Sequence, residues 1–309
     1  MKDFSEMYFI DADFFMVPSY RVSPFRTEYL SKNQAISSCN GDLASVLKTK
    51  YNNVSEISIT SGGREAIDLA LRDLSLDKNS IVTILTPSNN KYVSSCVTTI
   101  IEKYCKWNRE VTDATSVLFV IHEFGKIYSD MDMLSKLNLP IIEDYAHAFL
   151  STPKHSIQSD YLIISFPKSF PIQYGGALLT KKRIRNDLST SLNNKQINYI
   201  QNVISFYLEN ISSLVEKQKL NYLQLESMFN KKSISARFDY EKNEVPSVFM
   251  FNLPMIYKEN LKEKLQKNGV ECSFFYGENA FFIPVNYNMS ELDLIYLYNL
   301  VFKFMSDEI

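Results

Sequence analysis

Short apolar runs and longer stretches of helical spacing alternate through the first half of the chain. Ile57-Ser58-Ile59-Thr60 reads as a strand. Ala66, Ile67, Ala70, Leu71 and Leu74 follow it at the spacing of one helix face, between Arg64 and Leu74. Ile81 to Leu85 is the next strand, closed by Thr86-Pro87, and a helix is expected from about Tyr92 to Tyr104. Val117 to Ile121 is apolar at every position, as in a strand covered on both faces. A short helix from Met131 to Leu137 and a strand from Pro140 ending at Glu143-Asp144 come next. Two strands, Tyr161 to Phe166 and Ala177 to Thr180, follow with no long helix between them. Strands alternating with helices predict an α/β domain: a mostly parallel sheet with helices on both faces.

From about Ile184 the pattern changes. One long helical stretch carries Ile200, Val203, Ile204, Tyr207, Leu208, Ile211, Leu214 and Val215, and continues through Leu220, Leu223 and Phe229. A strand from Ser247 to Leu253 follows, then a helix from Glu259 to Gln266 that Asn268-Gly269 is placed to cap. A strand from Ala280 to Val285 and a final amphipathic helix from Ser290-Glu291 complete a small α+β domain. The expected division is residues 1–185 for the large α/β domain and 186–309 for the helical connection and small domain. A chain of 309 residues is long enough for both.

Composition changes this picture in a few places. Only eight glycines occur, and they include two adjacent pairs, Gly62-Gly63 and Gly175-Gly176, each beside an expected strand; Gly41 and Gly277 read as turns. Lys and Arg number 33 against 35 Asp and Glu, a net charge of −2. That balance offers no electrostatic footprint for nucleic acid or an anionic membrane. The local run Lys181, Lys182, Arg183, Arg185 reads as a solvated helix start. Cys39, Cys96, Cys105 and Cys272 suit neither a zinc site nor a disulfide framework, and a reducing cytoplasm fits them. Asp3, Glu6, Asp11 and Asp13 argue against a secretory leader. No apolar run approaches the ~20 residues of a membrane helix.

In open α/β sheets ligands bind at the carboxyl ends of the strands. The first strand ends in Thr60-Ser61-Gly62-Gly63-Arg64, where small residues let backbone N–H groups reach an anion at a helix start. The fourth ends in Glu143-Asp144, then Tyr145-Ala146-His147. The fifth ends in Ser165-Phe166-Pro167-Lys168, with Tyr174-Gly175-Gly176 a few residues on. A phosphate cradle, a strand-end carboxylate and a lone lysine suit pyridoxal 5'-phosphate (PLP): the lysine forms the Schiff base and the carboxylate keeps the pyridine nitrogen protonated. Each element also has an ordinary reading, as a turn, a solvated cap and a surface lysine. Arg64 either holds a phosphate or substrate carboxylate, or pairs with Glu65 or Asp68 on the helix surface. Asp144-x-x-His147 suggests a metal pair, but His122 and His155 stand in no ligand spacing, and no metal is expected.

Six segments occur in a family-like order. They are Ser61 to Ile67; Thr86-Pro87-Ser88 with Tyr92-Val93-Ser94-Ser95; His122-Glu123-Phe124-Gly125 with Asp130-Met131-Asp132; Ile142 to Ala148; Ser165-Phe166 and Lys168 with Gly175-Gly176-Ala177-Leu178; and Phe282-Ile283-Pro284-Val285 with Met289-Ser290-Glu291. In this order the chain resembles the nucleotide-sugar aminotransferases of the DegT/DnrJ type, members of the fold-type I PLP enzymes. The resemblance implies a three-layer α/β/α large domain with a mostly parallel mixed sheet, a small C-terminal α+β domain, and a homodimer with active sites near its interface. It implies a PLP-dependent aminotransferase acting on a nucleotide-linked keto-sugar in surface-polysaccharide biosynthesis, with glutamate or glutamine as amino donor. Lys168 is then the Schiff-base lysine and proton shuttle. Asp144 is the pyridinium partner, and His147 lies near the ring hydroxyl. Gly62, Gly63, Arg64 and Ser165 gather at the phosphate, and Tyr92 stacks on the ring.

The departures bear on this reading. Ser165 to Lys168 is two residues shorter than the family spacing. Gly63 replaces a threonine, and Gln173-Tyr174 lacks the acidic residue usual before Gly-Gly. The family's G-Y-N-x-R-M segment, which reaches the partner's cofactor, has no match unless Asn198-Tyr199-Ile200-Gln201 is its remnant. Two alternatives stay open. One is another PLP reaction on the same fold, although the family's dehydratases carry histidine where Lys168 stands. The other is a non-catalytic aminotransferase-like partner or binding protein.

Overall fold

A computed structural model describes residues 18–36, 42–153, 159–253 and 260–306. Expectations at Asp3, Glu6, Asp11, Asp13, Cys39, Gly41, His155 and Glu259 lie outside these residues. Seven strands form the large sheet: β1 (Glu56–Thr60), β2 (Ile81–Leu85), β3 (Lys106–Asn108), β4 (Val117–Ile121), β5 (Ile141–Asp144), β6 (Tyr161–Ser165) and β7 (Gly176–Thr180). Their order is β1-β7-β6-β5-β4-β2-β3. The pairs from β3 through β6 are parallel, while β7 runs antiparallel to β1 and β6. This is the expected mostly parallel mixed sheet.

Alternate residues of each strand meet different helices. Val117, Phe119, Ile142, Ile163 and Leu178 pack with α3 (Gly63–Asp73) and α4 (Ser95–Ile101). Leu118, Val120 and Ile141 pack with α5 (Met131–Leu134). Both faces of β4 are therefore dry, which is why its sequence shows no alternation. Each fully buried Val, Leu, Ile or Phe side chain stabilises the fold by roughly 1.5–3 kcal/mol.

The chain divides into two compact units. The α/β unit is Phe25–Ile211 with Glu241–Val245; the other is Ser212–Tyr240 and Pro246–Ile309 with Met1–Pro24, as far as these are described. The α/β unit keeps α6 (Asn194–Leu208), which begins on a capping box between Asn193 and Gln196 and packs on β1 and α2 (Leu43–Lys50). The second unit has a three-stranded antiparallel sheet in the order β8-β10-β9, from β8 (Val248–Asn252), β9 (Ser273–Phe275) and β10 (Ala280–Pro284). Helices α7 (Ile211–Asn230), α8 (Leu261–Lys267) and α9 (Glu291–Ser306) belong with it, and Phe229 packs 4.8 Å from both Phe249 and Phe251.

Some expectations change. The single helical stretch from Tyr199 to Phe229 is two helices, broken between Leu208 and Ile211. The helix expected from Tyr92 starts at Ser95 instead, because Ser94 caps it and Asn90 Oδ1 holds the Tyr92 N–H in a turn. The basic run from Lys181 starts no helix: Arg185 turns to Ser75 and Asp187, and the chain stays irregular until α6. β3, β9 and α1 (Tyr29–Ala35) are too short to show in the hydrophobic pattern. Among the described residues no helix is long and apolar enough to cross a membrane.

Candidate active site

Helix α3 opens directly after β1, with its N-terminus at the carboxyl end of the sheet. Glu65 carboxylate accepts the Ser61 N–H at 2.6 Å and the Ser191 N–H at 2.5 Å. Burial opposes that charge, but these N–H groups outweigh it and hold the carboxyl below its usual range. Beside the first helical residue lies Ser165: a Cβ on Gly63 would stand 3.4 Å from Ser165 Cβ and 3.9 Å from its Oγ. A Cβ on Gly62 would meet nothing within 4 Å among the described residues. The result is an open cradle of helix N–H groups with one hydroxyl beside it, complementary to a phosphate.

The second glycine pair closes the same corner. A Cβ on Gly176 would strike the Ile164 carbonyl oxygen and come within 2.8 Å of the Gly62 carbonyl carbon. Gly175 adopts φ +121° and donates its N–H to Ser61 O at 2.9 Å, while Phe166 N–H bonds Gly175 O at 3.1 Å. Only glycine allows these backbones so close.

Side chains alternate along a strand, so Asp144 shares the face of Ile142, and Ser165 that of Ile163, both toward α3. Asp144 is buried, with 5% of its surface exposed. It accepts one hydrogen bond, from Ala146 N–H at 2.8 Å, and no cation stands against it among the described residues. Burial pushes its carboxyl up to about 6, against the pull of that N–H. A buried carboxylate so poorly paired is complementary to a protonated ring nitrogen.

Lys168 ends a single 3₁₀ turn, Phe166–Lys168, anchored by Phe166 and Phe170, which pack edge-on or tilted against Phe149 and each other. Its charge acts on both His147 and Cys96. The His147 ring lies 5.1 Å from Phe124. Burial first, and Lys168 second, hold that imidazole well below its usual range, so it is neutral at pH 7. Arg64 takes neither of its expected surface partners. Asp68 is engaged by Tyr104 at 2.7 Å and Arg72 at 3.9 Å, and Arg64 Nη2 instead donates to Cys96 Sγ at 2.8 Å. Burial works against the Cys96 thiolate, but hydrogen bonds from Arg64 and Ser94 and the charges of Arg64 and Lys168 bring its pKa below the usual value. Tyr92 is 47% exposed in the turn before α4.

The structure adds residues that the motifs do not mark. Arg109 donates to Ile84 O at 2.5 Å, Thr86 Oγ1 at 2.9 Å and Asn90 O at 2.6 Å, and Glu123 Oε2 accepts the Ser88 N–H at 2.9 Å. Together they fix the Thr86–Asn90 loop; Arg109 follows β3, whose three residues give no sequence signal. The Asn198-Tyr199-Ile200-Gln201 segment lies inside α6. Tyr199 Oη bonds Gln173 Oε1 at 3.0 Å, its ring stacks on Tyr174 at 5.9 Å, and Ile200 lies 3.2 Å from where a Gly175 Cβ would be. The segment thus braces the turn between Lys168 and Gly176 within its own chain. Among the described residues no group of three or more His, Cys, Asp or Glu is placed to hold a metal.

The fold is that of the fold-type I PLP-dependent transferases. Spr1654 from Streptococcus pneumoniae in its PLP form, assigned as a sugar aminotransferase, matches with TM-score 0.73 and 14% identity over 95% of this chain and 100% of its own. The aminotransferase TlmJ from Streptoalloteichus hindustanus matches with TM-score 0.73 and 12% identity over 93% of this chain and 99% of its own. PseC from Helicobacter pylori, an aminotransferase of pseudoaminic acid biosynthesis, matches with TM-score 0.67 and 14% identity over 94% and 100%. No family model and no curated protein matches the sequence. At these identities the likeness establishes the fold, and function rests on the site.

Proposed function

We propose that the chain is a PLP-dependent aminotransferase acting on a nucleotide-linked keto-sugar, in surface-polysaccharide biosynthesis, as a homodimer. The observation that carries this reading is one face of the sheet. There an open helix N-terminus beside Ser165 and a buried Asp144, with no cation against it among the described residues, share the α3 side, and the turn that carries Lys168 follows directly on Ser165, its charge felt at His147. The α3 N–H groups at Gly62 and Gly63, with Ser165, hold the phosphate. Asp144 holds the ring nitrogen, neutral His147 stands near the ring hydroxyl, and Lys168 is the covalent anchor. When bound, PLP supplies an electron sink for deprotonation of the carbon bearing the amino group. Lys168 Nζ, once free, takes that proton and returns one on the other side of the transfer. Arg64 meets the phosphate or a substrate carboxylate. Tyr92 covers the ring.

Purified protein titrated with PLP is expected to turn yellow, and Lys168→Ala to lose that absorbance. Glutamate or glutamine is then expected to bleach it as the amino group is taken up. A colourless protein that takes up no PLP overturns the reading. A second reading, a non-catalytic protein on this fold, is favoured by the helical, self-bracing 198–201 segment. PLP uptake without bleaching by any amino donor overturns the aminotransferase reading and is the outcome this second reading expects.

A further inference from the structure

The buried ionisable groups that this chemistry leaves unused gather on the opposite face of β5. Glu143 is fully buried. Its Oε2 accepts hydrogen bonds from His122 Nε2 at 2.9 Å and Tyr145 Oη at 2.9 Å, and its Oε1 accepts one from the Ser159 hydroxyl. His122 Nδ1 accepts the Tyr128 N–H at 3.1 Å, which assigns the ring proton to Nε2, pointing at Glu143. The Tyr145 ring leans on His122 at 4.2 Å and meets Tyr51 edge-on at 5.1 Å. Burial, then the Glu143 charge, raise Tyr145 well above the usual phenol range, so it stays a donor. The two residues flanking Asp144 are therefore bonded to each other. The backbone is held as well, by His122 N–H to Asp144 O at 3.1 Å and Tyr145 N–H to Ile163 O at 2.9 Å.

We infer that the His122–Glu143–Tyr145–Ser159 network is a positioning device for Asp144, setting where its carboxylate stands to meet the cofactor ring nitrogen. The inference rests on the PLP reading above. Among the described residues Asp144 has only one hydrogen bond of its own, so its place depends on the backbone on either side. An apolar cluster of similar volume would fill this space at no less stability, whereas a fully satisfied polar network specifies one geometry. Glu143, His122, Tyr145 and Ser159 face away from α3 and act only through β5; they are positioning residues.

The test is a double-mutant cycle on PLP affinity, read by equilibrium titration of cofactor absorbance. Glu143→Gln is expected to weaken PLP binding about tenfold in the parent chain and less than about twofold in an Asp144→Asn background. An equal loss in both backgrounds overturns the inference, because the network would then support the fold at large and not Asp144. If Glu143→Gln does not fold, Tyr145→Phe takes its place in the cycle, since it removes one hydroxyl and nothing else. A smaller loss that shrinks further in the Asp144→Asn background then supports the inference, and an equal loss in both again overturns it. PLP binding with an additive cycle sinks the positioning role alone. A parent chain that takes up no PLP sinks the cofactor reading and this inference with it.

Discussion

Glu143 and Asp144 are consecutive carboxylates, both buried, and their surroundings are opposite. Among the described residues Glu143 has three side-chain donors on the α5 side; Asp144 has one backbone N–H on the α3 side and no cation. A folding chain gains nothing by burying a poorly paired charge. The satisfied carboxylate finds its partners within the fold, and the unsatisfied one needs a ligand to explain it.

The largest effect that would break this contrast is on the satisfied side. Glu143→Ala strands His122, Tyr145 and Ser159 in the interior and is expected to cost about 3–5 kcal/mol in denaturant unfolding. A loss under ~1 kcal/mol would mean the network does not hold the fold.

Asp144→Asn is expected to act with the opposite sign in the ligand-free chain. Burial places the folded carboxyl at about 6, against about 3.9 when unfolded. The folded state therefore binds this proton more tightly. Stability linked to the group is complete below about pH 4 and is lost as pH rises through 6. The asparagine variant should match the parent near pH 4 and exceed it by about 3 kcal/mol above pH 7. Unfolding curves across this range check it, and a pH-independent difference would show that the folded carboxyl is not raised.

Gly176→Ala sharpens the contrast from the cradle side. Its Cβ meets backbone atoms, which cannot rotate away, and the expected loss is about 1–3 kcal/mol by thermal unfolding. The smallest effect concerns access. Cys96 is exposed, while burial pushes Cys105 up to about 11 and Cys272 up to about 12. Iodoacetamide followed by peptide mass mapping should label Cys96 before these two. Arg64→Ala should slow that labelling at neutral pH, and unchanged kinetics would show that the Arg64 contact does not tune the thiol.

How legible the molecule is in its sequence depends on the range of the forces involved. β2 and β4 are readable because both faces are covered by helices, so every position is apolar or nearly so. β3 is not, since a three-residue strand is decided by its pairing with β2. α6 falls outside the expected large domain because helical spacing reports a helix and not which unit its face packs on. In the candidate site, Gly62-Gly63, Asp144, Ser165 and Lys168 stand out by type and position after strands. Arg109 and Cys96 do not, because each matters through a partner distant in the chain: Arg109 through the loop near Thr86, and Cys96 through Arg64.

Residue pattern alone set the α/β alternation, the mostly parallel sheet, the stop of α8 at Asn268-Gly269 and which residue types stand at the strand ends. Those follow from local periodicity and from the few residues that tolerate a tight turn. Only the tertiary structure decided that Asp144 and Ser165 share the α3 face, that Glu143 turns the other way into a closed network, and that Tyr199 braces the lysine turn from within its own chain. Strand register and helix docking set these relations, and they depend on contacts between residues far apart in sequence.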